Sequence, residues 1–73
     1  MDYTDKKFTM EDGKTYIVVE QVDYDNKVYL YISNNDDEND TKYVEIKDGN
    51  LLNIDPELFD KIIFSLFMEK FRQ

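Results

Sequence analysis

The chain contains no cysteine, no histidine and no tryptophan, and has one proline and two glycines in 73 residues. Without cysteine there is neither a disulfide nor a thiolate metal site, although small secreted domains usually need such staples. A cytoplasmic location is the corresponding expectation. Without histidine, no side chain titrates near neutral pH at its ordinary value, and Ser33 and Ser65 have no imidazole to activate them. Two glycines cannot build a glycine-rich phosphate loop. The sequence therefore predicts neither catalytic residues nor a bound cofactor. No apolar run approaches the length of a membrane span. The opening Met1-Asp2-Tyr3-Thr4-Asp5 carries acids where a secretory signal has a basic start, so no membrane partner is expected.

Acidic charge, by contrast, is abundant. Seventeen acids against nine bases give a net charge of −8. Residues 1 to 40 hold 11 acids and 4 bases, whereas residues 41 to 73 hold 6 and 5. Such a field repels phosphate backbones, disfavouring direct nucleic-acid binding, and favours a basic protein partner. The candidate acidic contacts are Asp23, Asp25, Asp36, Asp37, Glu38 and Asp40. The run Asp36 to Asp40 invites a calcium reading, but an EF-hand loop starting at Asp36 needs Gly and Glu where the chain has Thr41 and Lys47. No metal site is expected.

A chain this short holds one core, so residues 1–73 form a single domain. Residues 1–6 are expected to be flexible. Asp12-Gly13, Asp23 to Asn26 and Asp48-Gly49 are turn signals. Between them, Thr15 to Val22 is rich in β-branched residues, and Lys27 to Ser33 and Lys42 to Lys47 alternate apolar and polar as half-buried strands do. Phe8 to Met10 and Leu51 to Ile54 read as shorter strands. Asn34 to Asp40 has no apolar residue and predicts a mobile acidic loop over 34–41. Asp55-Pro56 predicts a helix over 56–72, with Asp as cap and Pro at the first helical position. The fold class is α+β: an antiparallel β-meander of about four to five strands with one C-terminal α-helix packed on a sheet face.

Two features exceed what that fold requires. At 100° per residue, Leu58, Phe59, Ile62, Ile63 and Leu66 form one arc of the helix, suited to the sheet, while Phe64, Phe67, Met68 and Phe71 form a second beside it. One sheet cannot cover both, so the second arc predicts a homodimer or a partner groove. Covering by Tyr3, Phe8 and Met10 is the alternative. On the sheet, placing Ile17, Val19, Val28, Leu30, Val44 and Ile46 inward leaves Tyr16, Tyr29, Tyr31 and Tyr43 on an open outer face. That face suits cross-strand pairing or a protein partner better than stacking on RNA, because only Lys27, Lys42 and Lys47 stand near it.

Glu11-Asp12-Gly13 before a strand, Tyr24-Asp25-Asn26-Lys27-Val28-Tyr29 as a hairpin, Tyr43-Val44-Glu45-Ile46-Lys47-Asp48-Gly49 and Ile54-Asp55-Pro56-Glu57-Leu58-Phe59 opening a helix together resemble the small acidic YrzB-type proteins of Gram-positive bacteria. The resemblance spans Phe8 to Glu69 and implies the fold, with no catalytic residue and no established activity. The second Phe arc departs from it. The sequence thus points to a non-enzymatic interaction module. In its sharpest form this is an acidic inhibitor mimicking nucleic acid against a basic protein, as phage-encoded anti-CRISPR or anti-restriction proteins do. The alternative is a small structural homodimer held by the Phe-rich helix.

Overall fold

In the computed structural model, which describes residues 2–71, five strands form one antiparallel sheet in sequential order. These are β1 (Lys7–Thr9), β2 (Thr15–Tyr24), β3 (Lys27–Asn34), β4 (Asp37–Lys47) and β5 (Asn50–Asn53), followed by the helix α1 (Pro56–Phe71). The expected α+β meander is the observed fold. Arg72, the expected last helical residue, lies outside the described residues.

Local chemistry sets the turns. Asp25 and Asn26 have φ of 52° and 61°, and Asp48 and Gly49 have 52° and 80°, so the β2–β3 and β4–β5 hairpins use left-handed pairs whose twist matches the strands they join. The β1–β2 loop closes with the Gly13 amide donating to the Met10 carbonyl at 2.9 Å and Gly13 at φ 82°. Asp55 caps α1: its Oδ1 accepts from the Glu57 amide at 2.9 Å, satisfying a helix-end donor beside Pro56.

Asn35 and Asp36 alone form the β3–β4 turn, so residues 37–40 belong to β4 and the expected mobile loop over 34–41 is corrected. Asn34 pairs with Asp37 but Ser33 with Thr41, leaving Glu38, Asn39 and Asp40 as an insertion on the β4 side. The polar segment is held because its groups bond locally and to β2: the Asn35 amide donates to the Thr15 carbonyl at 2.8 Å, and Asp40 accepts from Tyr16. The N-terminal segment is likewise tied down from residue 2 on, and was not expected to be. The Tyr3 amide donates to Gln21 Oε1, the Asp5 amide to the Val18 carbonyl, and the Tyr3 ring lies 6.2 Å from Phe8.

A bulge at Val19 decides which face each side chain of β2 occupies. Val18 pairs with Ile32 but Glu20 pairs with Tyr31, so the alternation changes phase. Before the bulge Tyr16 and Val18 point to the side of Leu30, Ile32 and Val44, where all five are essentially fully buried. After it Val22 joins Tyr29 on the other side. The first face is closed by the curl of the sheet itself, which brings Phe8 and Met10 from one edge and Leu51 from the other onto the same cluster. The second is closed by α1, through Phe59 and Ile62, with Ile54 and Leu66 at the margin.

The expected open tyrosine face is therefore corrected. Tyr29, Tyr31 and Tyr43 do share a face opposite Leu30 and Val44, but the helix lies on that face: Phe59 sits 4.8 Å from Tyr43, which is 4.9 Å from Tyr31. Tyr16 lies on the opposite, self-closed face and is fully buried. Ile17 and Val19 do not point into that aliphatic core; Val19 is 51% exposed at the bulge. The physical reason is twofold: the bulge at Val19 puts Tyr16 on the aliphatic side, and that side is already closed by Phe8, Met10 and Leu51, which leaves the aromatic side to the helix.

Candidate functional site

Counting at 100° per residue places Phe59, Ile62 and Leu66 on the sheet-facing stripe of α1. The outward stripe changes character along the axis. Its first half is Glu57, Asp60 and Lys61; its second half is Phe64, Phe67, Met68 and Phe71. Of the two readings of the second arc, covered or open, the structure has the open one, with exposures of 63%, 54%, 41% and 72% respectively. The covering by Tyr3, Phe8 and Met10 is absent because those residues close the aliphatic face of the sheet. Leu58 and Ile63, expected in the core, are also exposed, because a narrow contact on the sheet admits only one stripe of this helix.

Leu66 and Glu69 line a depression with Asp23, Tyr24 and Asp25, which places them at the β2–β3 turn. Phe67 to Phe71 follow Leu66, and Phe67 and Phe71 pack edge to face at 4.8 Å, ordering each other rather than meeting the sheet. At roughly 200 Å² per large side chain, the four exposed residues present roughly 450 Å² of contiguous apolar surface. That is comparable with the largest patch on a typical monomer, in a chain with only 5551 Å² of surface.

The acidic candidates fall into two groups. Asp23 and Asp25 sit at the β2–β3 turn, whereas Asp36, Asp37 and Glu38 sit at the opposite end of the sheet, beside Glu11 and Asp12 of the β1–β2 loop. Asp40, expected as a partner contact, is engaged within the fold. Its Oδ2 accepts from the Tyr16 hydroxyl at 2.7 Å and from Asn34 Nδ2 at 3.2 Å, with Lys14 Nζ at 3.9 Å. The bond from Tyr16, then that from Asn34, and the nearby lysines hold the Asp40 carboxyl below the usual carboxylate range. The same bond, with burial and the field of Asp40, Asp12 and Asp37, pushes the Tyr16 phenol up to about 12. Lys42 completes the arrangement, its ammonium 5.7 Å from the Tyr16 ring centre. No strand or turn pattern in the sequence announces this knot; its one signal is a polar Asn34 to Asp40 run long enough to fold back on β2.

Equally unannounced is a cleft of about 680 Å³ where the curl of the sheet brings β1 and β5 towards each other, lined by Phe8 to Asp12, Lys42 and Gly49 to Asn53. Among the described residues, no group of three or more acids is placed to hold a metal ion, and no helix is long and apolar enough to cross a membrane. Fold and surfaces together define a small acidic α+β meander with an apolar helical end. No family model matches the sequence, and no curated protein or solved structure matches it either.

Proposed function

We propose that the chain is a non-catalytic protein-interaction module whose docking element is the C-terminal half of α1, inserted into an apolar groove of another protein. The observation that carries this reading is the exposure of Phe64, Phe67, Met68 and Phe71. Their spacing of i, i+3, i+4 and i+7 is that of anchors an amphipathic helix lays into a groove. A groove wraps a helix on three sides and also covers Ile63, whereas two copies meeting face to face through this patch bury roughly 900 Å² in total, below the range of stable interfaces. The net charge of −8 favours a groove with a basic rim.

The test is capture from a lysate with wild type, Phe67→Asp and Phe71→Asp, each first shown to be folded and each sized by light scattering. A partner retained by wild type through a high-salt wash and lost from both variants supports the reading. Equal retention by the variants contradicts it, and so does a wild-type dimer that Phe67→Asp converts to monomer, which restores the homodimer alternative.

A second reading rests on Glu11, Asp12, Asp36, Asp37 and Glu38 sharing one pole. In it the chain is an acidic inhibitor that occupies the nucleic-acid surface of a basic protein. Replacing Asp36, Asp37 and Glu38 by Asn and Gln then weakens a salt-sensitive complex while leaving the salt-resistant one intact.

A further inference from the structure

The cleft between β1 and β5 has walls of an unusual kind: each is the open edge of a strand. Pairing fixes which backbone groups look into it. The Val18 amide donates to the Lys6 carbonyl and the Met10 amide to the Lys14 carbonyl, so the Lys6 carbonyl and the backbone groups of Phe8 and Met10 are spent on β2, while the Lys6 amide donates to the Tyr3 carbonyl. Lys7 and Thr9 turn theirs away from β2, and Thr9 lines the cleft. On the other side the Ile54 amide donates to the Tyr43 carbonyl, so Leu52 and Ile54 bond to β4 while Leu51 and Asn53 face outwards. Phe8, Met10 and Leu51 supply an apolar floor continuous with the core. Glu11 and Asp12 stand at one end. The one lysine of the lining, Lys42, is drawn to the Tyr16 ring and the Asp40 carboxylate.

We propose that this cleft binds an extended peptide that adds as a strand between β1 and β5, closing the curled sheet, and that the peptide alternates apolar with basic residues. Open edges are templates for strand addition, in which backbone hydrogen bonds supply affinity and alternate side chains supply specificity. The lengths of β1 and β5, three and four residues, set a matching strand of about that size. Apolar side chains of the peptide meet Phe8, Met10 and Leu51, and a basic residue meets Glu11 and Asp12. This surface is separate from the exposed end of α1, so either can fail without the other.

The test is an amide-shift titration of the isotopically labelled protein with the probe acetyl-Lys-Val-Lys-Val-Lys-amide, and with the same peptide N-methylated at alternate backbone positions, which keeps the charge and removes strand donors. The expected result is saturable binding, with exchange of the Lys7, Thr9, Leu51 and Asn53 amides slowed at least tenfold and the N-methylated peptide at least tenfold weaker. Thr9→Pro removes an amide that faces the cleft and none that bonds to β2, and weakens binding about fivefold to tenfold. Asn53→Pro does the same from the other wall should Thr9→Pro disturb the fold. Four results overturn the proposal: no saturation at millimolar peptide, equal binding of the N-methylated peptide, shifts centred on Asp36 to Glu38, or slowing that follows protein concentration without peptide and so reports strand pairing between copies.

Discussion

Phe59 and Phe71 lie on one helix, share one side-chain type and occupy opposite extremes of exposure, 4% against 72%. Truncating each to alanine therefore reads the helix docking directly. Phe59 is packed 4.8 Å from Tyr43 and belongs to the cluster of Val22, Tyr29 and Ile62. Its removal deletes a buried aromatic and leaves a cavity that the β2–β3 sheet cannot collapse into, at a cost of about 3 kcal/mol or more. Phe71 loses only its edge contact with Phe67, so Phe71→Ala costs at most about 0.5 kcal/mol. Because about 3 kcal/mol is a large share of the stability of so small a domain, Phe59→Leu is the second variant, expected to cost about 1 kcal/mol. The assay is urea unfolding followed by far-ultraviolet circular dichroism, comparing midpoints at a common slope. A loss for Phe71→Ala, or for Phe67→Ala, as large as that for Phe59→Ala means the second arc is packed within the monomer and refutes the reasoning.

The Tyr16–Asp40 bond couples stability to pH at both limbs. Asp40 has its folded pKa lowered, so its contribution is present above the ordinary Asp value of about 3.9 and lost as pH falls through the folded value below it. Tyr16 has its folded pKa raised to about 12, so its contribution is complete below the ordinary tyrosine value of about 10 and lost as pH rises through the folded one. Urea midpoints should fall at both extremes, and Tyr16→Phe should flatten both dependences; an unchanged profile in that variant assigns the titrations elsewhere. Gly49→Ala should cost about 1–2 kcal/mol by backbone strain alone, since φ is 80° and no atom stands within 4 Å of the added carbon; thermal melting checks it. Ile62→Ala should cost about 2–4 kcal/mol and loosen α1 before the aliphatic core, seen as faster amide exchange in α1 than at Leu30 and Val44.

The turns were legible because Asp-Gly and Asp-Asn can adopt left-handed conformations that other residues resist, and Asp55-Pro56 announced the helix in the same way. The outward Phe arc was legible too, since helical periodicity alone separates Phe64, Phe67, Met68 and Phe71 from Phe59, Ile62 and Leu66. The face of Tyr16 was not. Two-residue alternation carries no mark of a bulge, and only the charged Glu20, in phase with Tyr16, Val18 and Val22, hinted that the phase changes at Val19. Nor did the strand pattern say which side the helix takes, because both faces are apolar and the choice depends on how far the sheet curls. The Asp40 knot and the β1–β5 cleft arise from that curl and from the inserted residues 38–40, neither of which is a property of local sequence.

The most direct measurement of the docking claim places a photoreactive phenylalanine analogue at position 67, and as a control at position 57, and irradiates each protein in a lysate of the source organism. The account requires one discrete adduct of a different protein from position 67 and none from position 57. An adduct of twice the 8.8 kDa chain, or the same adducts from both positions, contradicts it.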